Sequence, residues 1–151
     1  YTGEPQYFYP RYDRTHTVSL VENYNISQNT GWQLGNADLI VGTNFSYNSG
    51  QPSDVPERIF FDGENFQLIY SYQDRVRLPD YLRLDLSVHL QWNTWWGSIE
   101  PYLEIINVFN HKNVSFRFYD VQMNEDGTLK LVTRDGTQFP FLPFIGVNVR
   151  W

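Results

Sequence analysis

Asp85, Ser87 and His89 stand at alternate positions of one segment and are the three side-chain types of a hydrolytic triad. On a strand the alternation puts all three on one face, but same-face neighbours are then about 6.5 to 7 Å apart. A nucleophile and its base need hydrogen-bond contact, so the segment reads as a polar wall, with no catalytic residue, and the chain is not expected to be an enzyme. His16, His89 and His111 lack ligand spacing. Asp54, Glu57, Asp62 and Glu64 offer oxygens suited to calcium, but without a fixed spacing they read as solvated loop. Neither a metal nor a cofactor is expected. Phe60, Phe61, Phe66, Tyr70, Phe116, Phe118 and Tyr119 have more standing as ligand-contact candidates, because stacking rings hold sugars, siderophores and cobalamin-like molecules alike. Packing of these rings on one another is the more ordinary alternative.

The elements that carry these residues are strands. From Tyr81 to Trp92 the chain alternates without error, Leu82, Leu84, Leu86, Val88, Leu90 and Trp92 against Tyr81, Arg83, Asp85, Ser87, His89 and Gln91. The last segment alternates too, with Ile145, Val147, Val149 and Trp151 on one face and Gly146, Asn148 and Arg150 on the other. Further strands are expected over about 15–24, 32–47 and 95–110, the last extended to about 122, with the final strand at 144–151. Gln28 to Gly31 and Asn93–Thr94 read as short turns. Residues 48–78, with a small hairpin turning at Asp62–Gly63, and residues 123–143, with a turn near Asn124 to Gly127, read as long loops.

Composition says what this sheet faces. Aromatics are 18% of the chain while mean hydropathy is −0.48, the mixture of a strand protein in which every second residue meets lipid and aromatic girdles mark the interfaces. No run of about 18 apolar residues exists for a spanning helix. The net charge of −6 disfavours nucleic acid. The expected fold is therefore all-β, an antiparallel transmembrane β-barrel. Short turns read as periplasmic and long loops as extracellular, and Trp32, Trp92, Trp95, Trp96 and Trp151 all fall at the short-turn ends. The C-terminus is then periplasmic. Five strands cannot close, and open edges in hydrocarbon leave backbone groups unpaired, so the chain is expected to be part of a larger barrel. Tyr81, Arg83, Asp85, His89, Glu100, Glu104 and Arg150 would face the lumen, with cross-strand pairing expected among the charges Arg83, Asp85, Glu100, Glu104 and Arg150. Glu22 falls on the lipid face, where snorkelling or a local bulge is favoured over a protein contact.

Four stretches resemble the C-terminal end of TonB-dependent outer-membrane receptors: Tyr9 to His16 leading into Leu20–Tyr24, Tyr47 to Pro52, Arg77 to Leu86, and Ile106 to Val114. With Trp151 they cover nearly all of the chain. Leu82 departs from the family, many members of which carry His there. The resemblance implies the last five strands of a 22-stranded plugged barrel in the Gram-negative outer membrane, importing a bulky siderophore, cobalamin, glycan or peptide. The plug itself is not in this sequence. The implied partners are the rest of the barrel and its plug, the inner-membrane energy-coupling complex acting on that plug, and the barrel assembly machinery, read through Ile145, Val147, Val149 and Trp151. Lipid, lipopolysaccharide and a surface lipoprotein complete the set. The alternative is a structural or interaction subunit built on a receptor-like, split barrel.

Overall fold

The computed structural model describes Pro10 and residues 12–151. The fold is all-β and antiparallel, with strands β1 (Thr17–Asn25), β2 (Ala37–Asn48), β3 (Pro52–Phe61), β4 (Phe66–Arg77), β5 (Tyr81–Thr94), β6 (Gly97–Ile106), β7 (Val114–Met123), β8 (Leu129–Thr137) and β9 (Leu142–Arg150), and one short helix, α1 (Ile26–Thr30). The chain divides into two units. One contains a five-stranded sheet in the order β1-β2-β5-β6-β9, and the other contains the hairpins β3-β4 and β7-β8.

In the five-stranded sheet the register aligns the alternations of all strands. Leu20 faces Phe45 across β1-β2, Phe45 faces Leu84 across β2-β5, Val88 faces Leu103 across β5-β6, and Leu103 faces Ile145 across β6-β9. One apolar face therefore runs across the sheet, and the polar residues of β5 share the other with Asn44, Tyr102, Asn148 and Arg150. The sheet strands pack chiefly on their sheet neighbours, β2 also meeting α1, and among the described residues no second sheet layer covers the apolar face. Ile145 is 85% exposed, Val147 59% and Leu20 57%. Among the described residues the only buried hydrophobic side chains are Ala37 and Leu78. A soluble domain buries such a face against another layer; this sheet leaves it open.

Several local expectations are corrected. The turn after β1 is a helical one: Asn25 caps α1 by accepting from the Gln28 N–H at 2.9 Å, and Gly31 ends it at φ 73°. Strand β2 consequently starts at Ala37, not at Trp32. The β5-β6 reversal lies at Trp95–Trp96, because pairing continues through Asn93–Ser98 and Thr94–Gly97. The fourth strand does not extend to about 122. It stops at Ile106, where Asn107 (φ 54°) and Asn110 (φ 50°) turn the backbone into the left-handed region, which Asn tolerates better than most residues. Residues 114–123 form the separate strand β7. The long loops are largely strand as well, since β3-β4 pair from Pro52–Arg77 to Phe61–Phe66 and β8 pairs with β7. Pro56, which has no N–H to give, sits between two register shifts of β3-β4.

Glu22 is not relieved by a bulge. The β1-β2 register is unbroken from Thr17–Asn48 to Asn25–Ile40, and Glu22 pairs with Thr43 on the apolar face.

Candidate functional site

The polar face of the five-stranded sheet carries all seven residues expected on the lumen side, and of their charges Glu100 and Arg150 pair across strands as expected while Arg83 and Asp85 do not. Arg83 binds Asp85 two residues along its own strand, through Nε at 2.7 and 2.9 Å and a second nitrogen at 2.6 Å. Asp85, 6% exposed, also accepts the Asn107 backbone N–H at 2.9 Å. This is a structural tie from β5 to the end of β6. Cross-strand pairing does occur lower on the face, where His89 Nδ1 lies 2.8 Å from Glu100 and Glu100 lies 3.9 Å from Arg150. The His89 ring stacks on Tyr102 at 5.4 Å. Tyr102 in turn lies across Gly146, its partner on β9, where any side chain would overlap its ring. Asp85 and His89 thus have separate partners, and the triad geometry is not formed. Asp85, Ser87 and Glu104 border a small depression of about 110 Å³ with Asn23, Gly42 and Asn44.

At the Asn107 end of the sheet, three asparagines do the work of backbone. The Asn107 amide donates to the His111 and Phe139 carbonyls at 3.0 Å each and accepts the His111 N–H at 3.2 Å. Asn113 accepts from the Leu82 N–H at 2.8 Å and donates to the Leu82 carbonyl at 2.9 Å, taking the place of a strand residue beside β5. Asn110 accepts the Phe141 N–H at 3.0 Å. Asn107 and Asn113 are the largest fully buried side chains among the described residues, and no buried side-chain nitrogen or oxygen among those residues is left unpaired, as buried amides require.

The other unit has its own tie. Gly50 donates its N–H to Asp80 at 2.9 Å, and its carbonyl accepts from Arg77 at 2.8 Å. Arg77 also reaches Asp13 at 2.7 Å, and Arg14 reaches Gln51 at 3.3 Å. A Cβ on Gly50 would overlap the Leu78 carbonyl, so only glycine fits. Tyr9 and Arg11 of the first motif stretch lie outside the described residues.

The seven aromatic candidates lie on the two hairpins, but not on one surface. Phe61 and Phe66 pair at 5.0 Å, and Phe116 and Phe118 at 4.7 Å. Phe60 and Tyr119 alternate with these partners and fall on the opposite faces of their hairpins. Tyr70 and Phe116 are the two that line a common cavity, of about 320 Å³, with Gln51, Ser53, Asp54 and Arg117 supplying polar groups. Its charges are matched within the hairpins, Asp54 with Arg75 at 2.9 Å and Arg117 with Asp135 at 2.6 Å, and this pairing holds the Arg117 guanidinium above its ordinary pKa. No such cavity was legible in the sequence, because it depends on β3 and β7 standing near each other. No family model, curated protein or solved structure matches the chain.

The acidic loop residues have local employment. Asp62 accepts from the Asn65 N–H at 2.8 Å, the Glu64 N–H at 2.9 Å and the Gln67 amide at 2.8 Å, which lowers its pKa. No group of three metal-binding side chains gathers among the described residues. Ile145, Val147 and Val149 are exposed along β9 on the apolar face, and Trp151 follows, 96% exposed. The five tryptophans lie at one end of the sheet, around the β1-β2 connection, the β5-β6 reversal and the end of β9.

Proposed function

We propose that this chain is the C-terminal part of the barrel of a TonB-dependent outer-membrane transporter that imports a bulky nutrient. The observation that carries the reading is the single-layered antiparallel sheet whose apolar face runs across five strands, broken by one charge, Glu22, and is most exposed on β1 and β9. Lipid is the solvent that such a face suits, and the tryptophans at one end of it suit a headgroup layer. The opposite face, with its internally paired Arg83–Asp85 and His89–Glu100, suits a polar lumen filled by a plug. No helix among the described residues is long and apolar enough to cross a membrane; crossing here belongs to the strands. The cavity beside Tyr70 and Phe116 is the first place to seek contact with the nutrient.

The test is the mass of the intact denatured polypeptide bearing this sequence, taken from the outer-membrane fraction. A mass several-fold above 17.9 kDa is expected, with a plug encoded upstream. A polypeptide of 17.9 kDa in that membrane would replace the single-chain transporter by a split or scaffolding barrel, and recovery without detergent would overturn the membrane reading altogether.

A further inference from the structure

Glu22 is the one charged residue on the apolar face of the five-stranded sheet among the described residues. Its neighbour Val21, 66% exposed, is displaced to the polar face. The inversion is confined to β1, a strand at the free edge of the sheet. Because the β1-β2 register is continuous on both sides of it, neither residue can turn to the other face.

Within the sheet nothing compensates the carboxylate. Thr43 lies directly opposite on β2, with Val41 and Phe45 at the diagonals, and no hydrogen bond or ion pair reaches Glu22 from any described residue. Escape to water is also poor. Glu22 stands three residues before the end of β1, about 10 Å along the strand, whereas snorkelling is a habit of the longer Lys and Arg side chains. An unpaired carboxylate facing hydrocarbon is costly and is ordinarily matched by a partner. The side of β1 away from β2 remains.

We propose that the free edge of β1 pairs with a further antiparallel strand of the same barrel, which sets a Lys or Arg directly opposite or diagonal to Glu22 on the lipid side. Cross-strand neighbours at those positions are within side-chain reach. The strand also brings an apolar side chain against Val21 on the other face. Glu22 thereby fixes the register of the junction, since a one-residue slip would carry the cation to the opposite face. This rests on the barrel reading but not on transport.

The experiment compares the full-length protein with its Glu22→Gln and Glu22→Lys variants by semi-native electrophoresis, reading the temperature at which the folded band converts to the unfolded one. Glu22→Gln is expected to lower that temperature by a few degrees and Glu22→Lys by more, and an acidic replacement of one Lys or Arg on the adjoining strand is expected to restore the Glu22→Lys variant. If Glu22→Gln leaves the temperature unchanged or raises it, the carboxylate has no cation and the proposal fails. If Glu22→Lys gives no folded band, the Glu22→Gln result decides alone. A wild-type protein with no heat-modifiable band would overturn the barrel reading and this one with it, whereas a normal band with the wrong shift would sink only the Glu22 pairing.

Discussion

Replacing Asn107 tests whether the turn after β6 is held by one side chain. The amide makes three hydrogen bonds, to the His111 carbonyl, the Phe139 carbonyl and the His111 N–H, in a position with no solvent exposure. Each such bond contributes about 1 kcal/mol net, and somewhat more where the abandoned partner stays buried, so their loss is worth about 3 kcal/mol. Alanine must also adopt φ near 54°, which adds about 1–2 kcal/mol for a residue with a Cβ and no polar side chain to support it. Asn107→Ala should therefore cost about 4–5 kcal/mol. Asn107→Gly loses the same bonds without the steric strain, and after its larger unfolded-state entropy is counted it should be milder than alanine by about 1 kcal/mol. The assay is guanidinium unfolding of the folded protein followed by tryptophan fluorescence. Because the tryptophans lie at the opposite end of the sheet, the signal reports loss of the sheet and not a local loosening near residue 107. A cost below about 1.5 kcal/mol for alanine would refute the reasoning, and a glycine variant as unstable as alanine would refute the strain component.

Gly50→Ala should destabilise the β3-β4 stem by about 1–3 kcal/mol, because its Cβ enters the Leu78 carbonyl; faster proteolytic cleavage between Gly50 and Asp80 is the readout, and unchanged cleavage would contradict the close approach. Tyr102→Phe should keep the ring over Gly146 and its stacking on His89, whereas Tyr102→Ala should lose both and lower the folded-band conversion temperature. The carboxyls of Asp62 and Asp126 are held below their ordinary pKa, the first mainly by the Asn65 and Glu64 N–H groups and the second by the Thr128 hydroxyl and N–H. Since the folded value is the lower one, these turns keep their full contribution at and above the usual carboxylate pKa, near 4, and lose it as pH falls below that value. The protection of the Asn65 and Thr128 amides, taken relative to their intrinsic exchange rate at each pH, should fall in that window and stay constant between pH 5 and 7.

The alternating residues were legible because a strand's period of two records which side is apolar, and 81–92 showed this without interruption. The register that merges five such patterns into one face could not be read from any one of them, although a face so consistent leaves few alternatives. The breaks were harder. Asn107 and Asn110 look like polar members of a continuing strand until their positive φ values are known, and Trp95–Trp96 look like strand residues although they form the reversal. Pairing of Arg83 with Asp85 along one strand, in place of a cross-strand ladder, reflects the reach of a long guanidinium and the open lone pairs left after Asp85 accepts the Asn107 N–H. The cavity at Tyr70 and Phe116 joins residues 46 positions apart in sequence, and local pattern carries no record of such a meeting.

The stretches that suggested a transporter family hold strand ends together. Asp13, Gly50, Arg77 and Asp80 come from three of them and form one set of ties, and Asn107 and Asn113 of the fourth bind Asp85 and Leu82 of the third. Each tie satisfies backbone groups where a strand leaves its sheet and pairing stops, and such groups are expensive when buried alone. A long hairpin inserted between sheet strands creates two such exits, so a sheet interrupted in this way needs side chains like these where the inserted segments begin and end. Their residue types are therefore constrained by architecture, while the rings on β3, β4 and β7 project from hairpins already held by backbone pairing from strand to strand. On the transporter reading proposed above, a survey of ligand contact belongs at the cavity of Tyr70, Phe116 and Arg117 before it belongs at the motif residues.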